Sequence, residues 1–273
     1  MKNIFKCAFI FMLVAVLEPS MLYAVENNVV KPAQDVIDGF QGFLWKEGDK
    51  SLPYRLYIPA KLEPGRKYPM IVYLHGAGSI GNDNKKQLTL AKSFTTTDIQ
   101  QKNPCFVLAP QCPEGNRWIP YKDPAGVSYE PGKYAMPKEP ASSMGMAMKI
   151  VENTIKDYPV DSKRVYVTGP SLGGYATWEI ISRMPDTFAA AVPVCGGGDV
   201  AQAGKIAAIP IWAFHGTIDP TVKVEQTRVM IEAVKKCGGN PQFTEYPEVK
   251  HNAWDFAFKD KEMFKWMFSQ VKK

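Results

Sequence analysis

The sequence predicts an α/β protein, with a mostly parallel central sheet, helices on both faces and an antiparallel N-terminal hairpin. Three observations carry this. Five apolar runs lack the alternation of a half-exposed strand, which is how strands buried on both faces of a parallel sheet read. Stretches with helical apolar spacing lie between the later runs. Two strand-like segments joined by a tight turn precede them all, and an antiparallel start followed by strand–helix alternation builds such a sheet. With 273 residues, 45% of them hydrophobic and 22% charged, the chain has the apolar material for one sizeable core.

The first residues stand apart from that core. Residues 1–6 are short and basic, residues 7–17 are an apolar run, and Ala24 closes the stretch that follows. This order reads as a secretory signal peptide cleaved near Ala24, leaving a single domain at 25–273 destined for the periplasm or the exterior. The apolar run falls well short of the ~20 residues that span a bilayer, so no stable membrane insertion is expected. Residues 40–47 and 53–58 are then expected to be the paired strands, around the turn Glu47-Gly48-Asp49-Lys50, with Tyr54, Leu56 and Ile58 alternating. The buried runs follow at 70–74, 105–109, 164–168, 190–194 and 209–214. Helices are expected at 142–158, 174–184, 223–236 and 252–270. In the first helix Ala147, Ile150, Val151, Thr154 and Ile155 share a face.

The net charge of +6 comes from lysines and arginines scattered among nearly as many acids. No basic block is interleaved with aromatics, so no nucleic-acid partner is expected. Beyond the leader, Cys105, Cys112, Cys195 and Cys237 fit neither a compact disulfide framework nor a zinc pattern and are expected to be buried thiols.

Gly169-Pro170-Ser171-Leu172-Gly173 directly follows the third buried run and directly precedes a helix. This is the Gly-x-Ser-x-Gly nucleophile elbow. The strand turns sharply into the helix, so small residues must flank the serine. Its hydroxyl then projects from the sheet edge beside backbone N–H groups and the helix dipole. The motif turns the sheet into the α/β-hydrolase plan, in which serine, acid and histidine follow in that chain order. A serine hydroxyl needs a base, and the chain has three histidines. His75 precedes the serine. His215 ends the fifth run, so an acid between it and Ser171 would come too early; it is expected to be packed and hydrogen-bonded. His251 remains, in the loop after a strand-like stretch at 242–246. The acid that orients the imidazole and stabilises its charged form is expected at Asp219, in the loop after the fifth run. Asp199 competes from the preceding glycine-rich loop, and Asp255 is expected at the surface.

The oxyanion formed on attack needs two N–H donors. Leu172 follows the nucleophile, and Ala77 lies in His75-Gly76-Ala77-Gly78, where Gly76 and Gly78 are alternatives. Gly76-Ala77-Gly78-Ser79-Ile80-Gly81 also matches a dinucleotide-binding pattern. The polar residues 82–86 open no apolar-faced helix, and no acid ends a second strand about 20 residues on, so no cofactor is expected. No metal-ligand spacing such as His-Glu-x-x-His occurs.

Together, His75-Gly76-Ala77-Gly78, the run from Arg164 through Ser171 to Trp178, the Asp219 loop and Lys250-His251-Asn252-Ala253-Trp254 resemble a bacterial group. These are the dienelactone-hydrolase-like α/β-hydrolases often labelled predicted peptidase or phospholipase/carboxylesterase, related to the feruloyl and acetylxylan esterases of carbohydrate esterase family 1. The resemblance covers about residues 40–271. It implies Ser171 as nucleophile, Asp219 as acid and His251 as base of a serine carboxylesterase. The substrate it implies is a small-molecule or polysaccharide-linked ester. A serine peptidase of the same fold and a catalytically silent binding protein on this scaffold are the alternatives. Ser79-Ile80 stand where relatives often carry Glu-Arg. Pro170 and Leu172 flank the serine where Leu and Met are common, which alters the expected acyl pocket. Residues 113–140, with Trp118, Tyr121, Tyr129 and Tyr134 among prolines, are expected to wall a substrate cleft at the sheet's carboxyl edge. Trp118 and Trp254 are the expected substrate contacts, and Trp178 is expected in the core.

Overall fold

Gly48 sets the turn between the two expected N-terminal strands. At φ +56° it adopts a backbone that a side chain would strain, and it lets Glu47 pair with Lys50 across two residues. The computed structural model describes residues 29–30, 35–120 and 130–273. The leader expected at 1–24 lies outside the described residues, as do Tyr121 and Tyr129. The strands are β1 (Val29–Val30), β2 (Val36–Ile37), β3 (Phe40–Glu47), β4 (Lys50–Tyr57), β5 (Tyr68–Tyr73), β6 (Phe106–Pro110), β7 (Val160–Pro170), β8 (Ala190–Val194), β9 (Trp212–Gly216) and β10 (Gln242–Tyr246). The helices are α1 (Leu88–Ala91), α2 (Thr97–Lys102), α3 (Ser142–Asp157), α4 (Leu172–Arg183), α5 (Ala203–Ile206), α6 (Glu225–Lys236), α7 (Trp254–Ala257) and α8 (Lys261–Ser269).

All described strands join one sheet in the order β1-β3-β4-β6-β5-β7-β8-β9-β10, with β2 pairing to β3. From β6 to β10 every neighbour is parallel; β4 meets β6 antiparallel. The missing alternation in the central runs has its cause here. Met70, Val72 and Leu74 enter a core with α3, α4 and α6, whereas Ile71 and Tyr73 enter one with α1, α7 and α8. Both faces of the strand are apolar because both are covered. From β5 the chain runs to β6 on one side, and from β7 to β8 on the other. The carboxyl ends of β5 and β7 therefore meet at a topological switch point, where open α/β sheets leave a crevice.

Three expectations are corrected. The helix expected at 252–270 is two helices, because Asp260 accepts from the Glu262 and Met263 amides and starts α8 afresh. The short helices α1, α2 and α5 were not expected; around α1, Leu88, Ala91 and Phe94 bury one stripe too brief to register as a period. Cys105, Cys112 and Cys195 are buried free thiols, but Cys237, just beyond α6, is exposed.

Candidate active site

Ser171 stands between β7 and α4 at φ +57°, ψ −120°, a conformation costing about 1–3 kcal/mol that only an over-determined surrounding holds. The surrounding is glycine. A Cβ on Gly173 would lie 1.8 Å from the Leu74 carbonyl oxygen, one on Gly169 2.1 Å from the same atom, and one on Gly174 2.3 Å from the Val194 oxygen. The elbow is thus wedged between the ends of β5 and β8. The Ser171 amide donates to the Val194 carbonyl at 2.9 Å, and the serine's own carbonyl receives the amides of Gly174 and Tyr175.

From this turn the hydroxyl meets His251. His251 Nε2 lies 2.9 Å from Ser171 Oγ, and His251 Nδ1 lies 2.6 Å from Asp219 Oδ2. The Asp219 side chain is fully buried, while 18% of the His251 side chain is exposed. Burial alone would push the Asp219 carboxyl up. Hydrogen bonds from His215, His251 and the Val222 and Thr221 amides outweigh it and hold the group well below the usual carboxylate range. The residue is therefore an anion positioned to fix the His251 tautomer. Asp199, the competing acid, caps the turn at Val200–Gln202 and also accepts from the Met136 amide. Asp255 is exposed and accepts from the Asn252 side chain.

The two expected oxyanion donors share a structural reason to be free. Leu172 opens α4, and Ala77 opens the 3₁₀ turn Ala77–Ser79. The first N–H groups of a helical segment have no partner within it. The two segments sit side by side: a Cβ on Gly76 would come 3.2 Å from the Pro170 carbonyl oxygen and 3.6 Å from Ser171 Cβ.

His75 supports this loop from below. Burial pushes its imidazole down to about 4, against the pull of the Gly76 carbonyl, so the ring is neutral at pH 7. Its Nδ1–H donates to Gly76 O at 2.7 Å, and its Nε2 accepts the Cys112 amide at 2.8 Å. Trp118 belongs to the same support. It is fully buried, packs on His75 and donates from its indole N–H to the His75 carbonyl at 3.0 Å. The expectation that Trp118 contacts substrate is therefore corrected: the residue braces the oxyanion loop. Tyr134 likewise faces inward and donates to Glu179. Gln111 adds a further brace, donating to Ser79 O and Asp83. In the sequence His75 stood out as a histidine ahead of the serine and as the start of the oxyanion loop, and nothing there marked Gln111.

Trp254 does reach the site. Its ring meets His251 edge-on, with centroids 5.1 Å apart, and it lines a cleft of about 370 Å³. Tyr73, Leu90, Ser79 and Thr221 complete the walls around Ser171 and His251. A larger groove of about 490 Å³ lies away from Ser171, between α2 and α8. Among the described residues, Cys195, His215 and Asp219 have donor atoms within 4.8 Å of one another, a spacing that would suit a metal. The Asp219 and His215 atoms are already engaged: Oδ1 and Oδ2 take four donors, and the two His215 nitrogens face Thr227, Val222 and Asp219.

The sheet order and the strained turn after β7 define an α/β-hydrolase fold. More particularly, the dienelactone hydrolase family model matches residues 135–268. Over 79 residues, 29% of this chain and 12% of that protein, it is 37% identical to the bifunctional acetylxylan esterase/xylanase XynS20E of Neocallimastix patriciarum. Over 169 residues, 61% of this chain and 51% of that protein, it is 26% identical to feruloyl esterase B of Neurospora crassa. The crystal structure of a thermostable esterase superposes with a TM-score of 0.78 at 37% identity, covering 86% of this chain and 64% of that one. The chain thus spans less than two thirds of each of these proteins. Among the described residues no helix is long and apolar enough to cross a membrane.

Proposed function

We propose that the chain is an exported serine hydrolase that cleaves carboxylic esters through an acyl-enzyme, with residues 25–273 as its single catalytic domain. The observation that carries this reading is the unbroken hydrogen-bond chain from Ser171 through His251 to Asp219, beside the first residues of α4 and of the Ala77–Ser79 turn. His251 Nε2 takes the Ser171 proton as Oγ attacks the ester carbonyl. Negative charge collects on the former carbonyl oxygen, where the Ala77 and Leu172 N–H groups receive it. Collapse expels the alcohol, which takes the proton from His251. Water then enters by the same route and releases the acid. Asp219 stays ionised throughout and stabilises the imidazolium.

The substrate class is an acyl group on a polysaccharide or an aryl acid ester. Relatives named as acetylxylan and feruloyl esterases support this, as do the Tyr73 and Trp254 rings lining the cleft beside Ser171. The test is turnover of p-nitrophenyl acetate, p-nitrophenyl octanoate, methyl ferulate, acetylated xylan and a chromogenic peptide, with Ser171→Ala as blank. Serine-dependent turnover of the short or aromatic esters is expected. Activity on the peptide alone would make the chain a peptidase, and none on any substrate would favour a silent scaffold.

A further inference from the structure

His215 is buried completely at the end of β9, 3.3 Å from the oxygen of Asp219 that His251 also contacts. Its two ring nitrogens have partners whose roles can be counted. Nδ1 lies 2.7 Å from Thr227 Oγ1, and that hydroxyl donates its only hydrogen to the Gly196 carbonyl at 2.7 Å. Thr227 can therefore only accept from the ring, which requires a proton on Nδ1. Nε2 lies 2.9 Å from the Val222 carbonyl and 3.3 Å from the Asp219 carboxylate, both acceptors, which requires a proton there as well. A neutral ring would leave two acceptors pressed together, either at Thr227 or at Val222, inside a core where such a contact is costly.

We propose that His215 is a buried imidazolium and the fourth member of the catalytic relay, placing the Asp219 carboxylate between two histidines. This deepens the ester-hydrolase reading and rests on it for its catalytic meaning. A buried carboxylate is costly alone and tolerable when paired and fully hydrogen-bonded; His215 supplies the permanent partner, and His251 is left free to exchange protons. The cation also offsets part of the negative charge that His251 faces. Removing that charge would leave His251 facing the carboxylate alone, which favours protonating it. The other ionisable groups near His215 are few. Glu245 of β10 lies in register with it and is held by Arg228 of α6, and the Cys195 thiol after β8 is directed at Asp219. From α4, the Tyr175 phenol feels Asp219. Glu245 and Asp219 both favour the cation. His215 is thus a positioning residue, acting on substrate only through Asp219 and His251.

Two measurements test this. In ¹⁵N-detected NMR of the wild-type protein at neutral pH, the His215 ring is expected to show both nitrogens protonated; a single protonated nitrogen would overturn the proposal. This reading needs no substrate, so it stands whether or not the chain hydrolyses esters. Second, His215→Gln keeps a donor but removes the charge. The acidic limb of its kcat/KM profile is expected to move to higher pH by about one unit, and Thr227→Val, which deletes the acceptor at Nδ1, is expected to move it the same way. A fall in kcat with the limb unmoved would reduce His215 to a packing residue.

Discussion

At the scale of single residues the site separates groups that react from groups that hold. Ser171→Ala is expected to abolish ester turnover while leaving the far-ultraviolet circular dichroism unchanged, since alanine fits the same turn. Asp219→Asn presents the wrong hydrogen-bonding edge to His251 Nδ1, and kcat is expected to fall about 10⁴-fold. Asp199→Asn is the control: Asp199 caps a short turn, so the expected loss is stability of about 1 kcal/mol or less, with kcat near wild type. Thermal melts and steady-state kinetics on the three variants separate these outcomes. The hydrogen-bonded chain of Ser171, His251 and Asp219 was legible because chain order, the elbow motif and the small number of histidines leave little choice. The supporting residues were not. His75, Gln111 and Trp118 come from segments far apart in sequence, and only the adjacency of β5 and β6 brings them under one loop. An aromatic in an irregular loop reads the same whether it faces a cleft or the core, which is why Trp118 was misplaced.

At the scale of elements, two glycines in helices predict effects of opposite sign. Gly173 in α4 lies against the Leu74 carbonyl, which cannot retreat without moving β5. Gly173→Ala is expected to cost about 3 kcal/mol or more in urea unfolding. Gly145 in α3 has room, because an added Cβ would meet only the Pro140 ring at 3.5 Å. Gly145→Ala is expected to stabilise the protein by about 0.5–1 kcal/mol, since alanine loses less freedom in a helix interior. The same contrast explains which elements could be read beforehand. β8 and β10 have the bounds their apolar and β-branched runs predict, and α3 ends within a residue of expectation. The breaks that were missed depend on a single side chain. Asp260 is one acid in a polar stretch until its carboxylate is seen to take two amides and divide α7 from α8.

At the scale of the whole molecule, a sheet covered on both faces leaves few reactive groups outside the crevice at its switch point. Burial pushes the Cys105 and Cys195 thiols up to about 12 and Cys112 up to about 11, whereas Cys237 is exposed. Native protein spanning residues 25–273 is expected to release one equivalent of chromophore rapidly with a disulfide reagent. Cys237→Ser should release none until denatured, and two fast equivalents in the wild type would contradict this packing. The central claim is that one activated serine carries covalent catalysis. It is tested most directly by treating the protein with an alkyl fluorophosphonate and locating the adduct by peptide mass spectrometry. The account predicts a single adduct on Ser171, formed in parallel with loss of ester hydrolysis and suppressed in His251→Ala; an unmodified Ser171 in folded protein, or an adduct only at another residue, would contradict it.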